Sequence, residues 1–197
     1  IQDFPSIKLV EGEIDTVYAD LDAFVDQEGA QVIWTSSFIN GLNTVIDPDN
    51  RVIMNPKGLV GDTTVVFTAF EVTEGNEDAV IVPLKILSRP QILGLPSTVS
   101  FDEDTTSEPL PLDDFVLDLD TQDSDLTWTS TNGSFIRVDI DARRQAVFSA
   151  DTDAFGSGEI RLVVSDGDGL TDTVLTRVVV NPVNDGPTVR RPPPVYP

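Results

Sequence analysis

The sequence predicts an all-β chain folded as two tandem β-sandwiches. Three observations carry that prediction: an internal repeat of about 90 residues, period-two alternation of apolar residues over short runs, and no sustained helical period anywhere.

The repeat fixes the architecture first. Val32-Ile33-Trp34-Thr35-Ser36 recurs 94 positions on as Leu126-Thr127-Trp128-Thr129-Ser130. Leu21-Asp22-Ala23-Phe24-Val25 recurs as Leu112-Asp113-Asp114-Phe115-Val116, and Pro5-Ser6 as Pro96-Ser97, both at a shift of 91. Gly75, Asp78, Val80 and Ile81 match Gly169, Asp172, Val174 and Leu175, again at 94. We therefore expect repeat 1 over residues 1–92, repeat 2 over 93–187 and a proline-rich tail over 188–197.

Within each copy, runs such as Glu159-Ile160-Arg161-Leu162-Val163-Val164 alternate apolar and polar residues and are rich in β-branched side chains. Gly, Pro, Asn and Asp break these runs every few residues, the pattern of a Greek-key sandwich of the immunoglobulin type. A tryptophan on the third strand of such a sandwich fills the core, and Trp34 and Trp128 hold matching places. The alternative for these two is a sugar-stacking platform; their position inside an apolar strand favours the core.

Composition excludes most catalytic chemistry. The 197 residues contain no Cys and no His, so thiol nucleophiles, thiolate zinc sites, disulfides and imidazole-based triads are absent. Carboxylate chemistry remains. Asp62-Thr63, Asp104-Thr105 and Asp151-Thr152 open like an aspartic-protease turn, but none is followed by the Gly that turn requires. Two small repeats also leave little room for a deep cleft, so we expect no enzyme. A net charge of -22 repels nucleic acid and anionic lipid while concentrating cations, and no apolar run is long enough to span a bilayer. The chain begins at Ile1 rather than Met, which leads us to expect a longer precursor, with any anchor outside this segment.

The second copy resembles the bacterial cadherin-like repeats of large surface proteins. The resemblance runs from Leu95 to Pro187. It rests on Phe101-Asp102-Glu103-Asp104-Thr105, Val116-Leu117-Asp118-Leu119-Asp120, Leu126-Thr127-Trp128, Val164-Ser165-Asp166-Gly167-Asp168-Gly169 and the closing Val180-Asn181-Pro182-Val183-Asn184-Asp185-Gly186-Pro187. It implies an extracellular, multi-repeat, calcium-stiffened stalk or adhesin at a bacterial cell surface. The first copy departs from the pattern. Glu71-Val72-Thr73-Glu74-Gly75 stands in place of the Asp-Gly-Asp-Gly turn, and Ser88-Arg89-Pro90-Gln91 in place of the Asn-Asp junction.

Topology sorts the acidic residues. Asp118, Asp120, Asp166 and Asp168 are expected at the end of repeat 2 that faces repeat 1, with Glu11 and Glu13 completing the group. Glu103 and Asp104 are expected at the opposite end with Asn181, Asn184 and Asp185. Calcium takes six to eight hard oxygen ligands, which such groups supply without a dedicated loop motif. The competing reading is that these aspartates cap turns through bonds to nearby backbone amides.

The tail Thr188–Pro197 is proline-rich, extended and basic at Arg190-Arg191. Donated to an acidic neighbour or an open sheet edge, it would link copies of the chain head to tail into a homopolymer. The alternative is a linker to neighbouring repeats of a longer chain. Two function classes stay open: a structural stalk or fibre module, and an adhesin domain that holds a glycan or protein receptor through its loops.

Overall fold

A computed structural model describes residues 5–13, 15–25 and 31–186; the tail lies outside the described residues, as do the side chains of 15–18. Contacts divide the chain into two units. Unit 1 comprises Ile1–Gln91 with Leu117–Leu126 and Ser165–Asp172, and unit 2 comprises Ile92–Val116, Thr127–Val164 and Thr173–Pro197.

Unit 1 contains β1 (Ile7–Val10), β2 (Asp15–Asp20), β3 (Val32–Ser36), β4 (Leu42–Ile46), β5 (Arg51–Pro56), β6 (Gly61–Glu71) and β7 (Glu77–Leu87). One sheet has the order β1-β7-β6-β3 and the other β2-β5-β4. The first strand joins the last in parallel, Ile7 opposite Leu84, while β6 and β7 pair antiparallel. Alternation decides the inward face: Val65, Phe67, Val82, Leu84 and Ile86 are buried against Val52, Met54 and Trp34.

Two short strands, β8 (Gln91–Ile92) and, further on, β11 (Val116–Leu117), pair with each other. The remaining strands are β9 (Thr98–Asp102), β10 (Leu110–Pro111), β12 (Thr127–Ser130), β13 (Ile136–Ile140), β14 (Gln145–Ala150), β15 (Gly156–Ser165) and β16 (Thr171–Asn181). Their sheets run β9-β16-β15-β12 and β10-β14-β13, the same plan strand for strand, again with the first strand parallel to the last. Trp128, Phe148, Ile160, Leu162, Val178 and Val180 form the core of unit 2. Both tryptophans are therefore core residues, each 6% exposed.

Among the described residues, helical structure is confined to single 3-10 turns. The repeated Leu-Asp-x-Phe segments form two of them, Leu21–Phe24 and Leu112–Phe115, and a third covers Asp123–Asp125. One turn is too short to leave a periodic signature in sequence. Each of the first two buries its leucine completely and turns its aspartate toward the β4–β5 hairpin or its counterpart. There Asn50 donates to Asp22 at 3.0 Å, and Arg144 grips Asp113 at 2.7 Å. Asn50 and Arg144 occupy matching positions, and both adopt left-handed backbone with φ 58 and 57.

Candidate metal centre

Three carboxylates meet at the end of unit 2 where the chain leaves β16. Oxygens of Asp104, Asp153 and Asp185 all lie within 4.8 Å of one another, and all three residues are exposed. Among the described residues this is the one such group of three.

The local chain explains the convergence. After β9 the backbone turns at Asp102–Thr105, where the Thr105 amide and hydroxyl both donate to the Asp102 carbonyl, at 3.2 and 2.6 Å. Asp104 in that turn has φ 58, and Asp153 in the Asp151–Ala154 turn has φ 56, a conformation Asp tolerates better than most residues. The Asp153 amide donates to the Asp104 carboxylate at 3.1 Å, which ties the two turns together. Ser107 fastens the same segment to β14: its amide donates to the Phe148 carbonyl and its hydroxyl accepts the Phe148 N–H.

Glu103 positions the third carboxylate. Its side chain is only 4% exposed and accepts the Val183 N–H at 2.6 Å, while its own amide donates to the Asn181 carbonyl at 2.9 Å. Asn181 in turn donates to Asp102 and Ser100. The exiting strand is thereby clipped to the first turn, and Asp185 is carried to Asp104. Sequence reasoning placed Glu103, Asp104, Asn184 and Asp185 at this end. The structure brings Asp104 and Asp185 together, turns Glu103 inward as the clip, and leaves Asn184 exposed.

Asp153 escaped the sequence reading although strand parity points to it. Because β15 runs opposite to the last strand, the β14–β15 turn must fall at the end where β16 finishes. Oxygens bound to one calcium at about 2.3–2.6 Å cannot stand more than about 5 Å apart. The three carboxylates meet that limit, and their hard anionic oxygens are the donor type calcium takes. Asp104, Asp153 and Asp185 would hold the ion, with water filling the remaining positions.

The second predicted group lies in unit 1. Asp118 accepts the Asp120 and Thr121 amides at 3.0 Å, and its other oxygen is buried with no hydrogen-bond partner. Asp120 accepts the Ser88 N–H at 3.1 Å. Burial pushes the Asp120 carboxyl above its ordinary range, and the neighbouring Asp118 and Asp166 carboxylates add to the effect. Asp166 closes the turn that Gly169 completes at φ 87, accepting the Leu170 amide at 2.8 Å. Asp168 faces cations instead: Lys8 at 2.7 Å and Lys85 at 3.1 Å hold its carboxyl below the usual range. Glu11 accepts the Gly58 N–H, and Glu13 pairs with Arg89 at 2.6 Å. Asp118, Asp120 and Asp166 are thus neighbours, while Asp168, Glu11 and Glu13 each have a partner of their own.

No family model matches the chain, and no curated protein matches it in sequence. Solved structures resemble it in fold. A three-immunoglobulin-domain fragment of titin carrying Glu-to-Ala changes superposes with a TM-score of 0.44 at 12% identity, covering 90% of this chain and 63% of that one. Mouse cadherin-23 EC22–24 gives 0.41 at 18% identity, covering 92% and 64%. An endo-fucoidan hydrolase of glycoside hydrolase family 107 gives 0.34 at 13% identity, covering 92% of this chain but 28% of the other. The chain spans less than two-thirds of the length of each.

Proposed function

We propose that this chain is a non-enzymatic, extracellular structural module of a bacterial cell surface, a stalk segment or fibre subunit stabilised by calcium at the end of unit 2 where β16 finishes. The observation that carries the reading is the convergence of Asp104, Asp153 and Asp185 at the point where the chain exits its last strand. An ion there ties the first turn, the β14–β15 turn and the outgoing segment into one rigid end. Such an end suits a module joined in series, either to neighbouring repeats or, through the tail, to further copies of itself.

Calcium titration tests the metal part. Calcium should bind the chain and raise its melting temperature, and chelator should reverse both. An unchanged transition in the two conditions rejects calcium stabilisation. Particle size tests assembly: polymers that become monomers when residues 188–197 are deleted support the homopolymer, and monomers in both cases reject it.

A second reading, an adhesin domain that holds a receptor, draws on two exposed loop aromatics. Phe38 is 89% exposed and Phe155 61% exposed. Apolar rings presented to water on loops are a usual feature of recognition surfaces. Loss of binding to host glycans or proteins on Phe38→Ser or Phe155→Ser would favour it.

A further inference from the structure

We infer that unit 1 carries its own counterions in place of a metal: Lys8 and Lys85 neutralise Asp168, and Arg89 neutralises Glu13, so that calcium is taken by the Asp104 centre alone. Its calcium clause rests on the proposed site at Asp104, while the counterions of unit 1 stand on a separate set of residues.

Internal correspondence makes the argument specific. Strand register relates β1 to β9 by 92 positions, and the Glu11 amide donates to the Leu87 carbonyl as the Glu103 amide does to that of Asn181, so Gly12, at φ 76, is the counterpart of Asp104. Gly58, at φ 76, whose amide donates to Glu11 as the Asp153 amide does to Asp104, is the counterpart of Asp153, and at the shift of 94 that relates the repeat ends Gln91 is that of Asp185. None of the three acids is present in repeat 1. The acid that follows Gly12, Glu13, is paired with Arg89 at 2.6 Å, where repeat 2 has the uncharged Val183. Among the described residues, no basic side chain is paired with Asp104, Asp153 or Asp185.

The same substitution is built at Asp168. Two ammonium groups at 2.7 and 3.1 Å bring two positive charges to its two carboxylate oxygens, the charge a calcium ion would bring. Both lysines lie on one sheet, on the paired strands β1 and β7, and their register sets them directly opposite each other. A divalent ion on Asp168 would face two ammonium groups within contact distance, and Coulomb repulsion at that range opposes its entry. Arg89 adds a bond from its guanidinium to the Thr171 carbonyl at 3.3 Å, in the same segment of unit 1 as Asp168. The segment 165–172 is held by covalently attached cations, which no chelator removes.

Amide hydrogen exchange on the intact chain, with and without calcium, tests this. In chelator, the Leu170 amide should be as protected in the wild-type chain as it is in calcium, within about twofold. Asp168→Asn and the Lys8→Gln/Lys85→Gln pair should each speed its exchange at least tenfold in chelator. Calcium stoichiometry by titration should be unaffected by Asp168→Asn and abolished by Asp104→Asn with Asp153→Asn. The inference is overturned if calcium slows Leu170 exchange severalfold in the wild-type chain, or if Asp168→Asn removes a calcium equivalent. If the chain binds no calcium at all, the metal reading of unit 2 fails, and the chelator arm still decides this one.

Discussion

Replacing Asp153 by Asn should stabilise unit 2 in chelator and destabilise it in calcium. Three carboxylates within 4.8 Å form three like-charged pairs, and Coulomb's law gives about 0.9 kcal/mol for each in bulk water at that distance. Neutralising one residue removes two pairs, roughly 1.7 kcal/mol at low ionic strength and about 1 kcal/mol with physiological screening. Asn tolerates the left-handed backbone that Asp153 adopts, and the bond from the residue 153 amide to Asp104 does not involve the replaced group. In a unit of this size, about 1 kcal/mol moves the midpoint by about 4–8 °C, so the variant should melt higher than wild type by that amount in chelator. With calcium at 100 times its dissociation constant, wild type gains about 2.7 kcal/mol that the variant forgoes, and the order reverses. Thermal denaturation followed by circular dichroism in both buffers reads the crossing. A variant that melts below wild type by the same margin in both buffers would refute the electrostatic argument, because it would show Asp153 acting only in its turn.

Glu103→Ala should cost about 2 kcal/mol in denaturant unfolding of unit 2, the range for a buried hydrogen bond to a charged acceptor, and should weaken calcium binding by releasing Asp185; Glu103→Gln, which keeps an acceptor for the Val183 N–H, should retain most of both. Thr176→Val should raise stability by about 1 kcal/mol in the same assay, because the fully buried Thr176 hydroxyl has no partner and the matching position of unit 1 is Val82. Asp120→Asn should stabilise unit 1 at pH 7: a carboxyl whose folded pKa is raised favours the folded state when protonated, and that contribution is lost as pH rises through the folded value. The gain should fade in thermal melts as the pH falls toward 4 and wild-type Asp120 takes up its proton.

The sandwich plan was legible because burial alternates and the two copies share their deepest residues. Trp34 and Trp128, or Leu21 and Leu112, occupy matching core sites that tolerate little change in shape. Turns left weaker traces. Asp47-Pro48-Asp49-Asn50-Arg51 and Asp141-Ala142-Arg143-Arg144-Gln145 share only their first residue. Yet in both, that Asp accepts the amides two and four residues on, and the fourth residue takes left-handed φ. The turn needs one side-chain acceptor and one permissive backbone position, so the rest of its sequence is free to drift. For the acidic residues, sequence located the ends but not the partners. Nothing in composition says that Asp168 meets two lysines or that Glu103 turns inward, since both depend on strand register.

The two repeats therefore differ where packing constrains them least. Their cores keep the same plan, while the charges at their ends have been resolved in opposite ways. In unit 1 the acids at Glu13 and Asp168 are answered by Arg89, Lys85 and Lys8, whose side chains come with the chain. In unit 2 three acids converge with no such answer among the described residues, and a cation from outside would relieve their mutual repulsion. Self-supplied cations at one set of loops act with or without calcium, whereas an end that captured its cation would be stiffened only where that ion is present. On the proposed reading, sensitivity to calcium is confined to the end of unit 2 where β16 finishes.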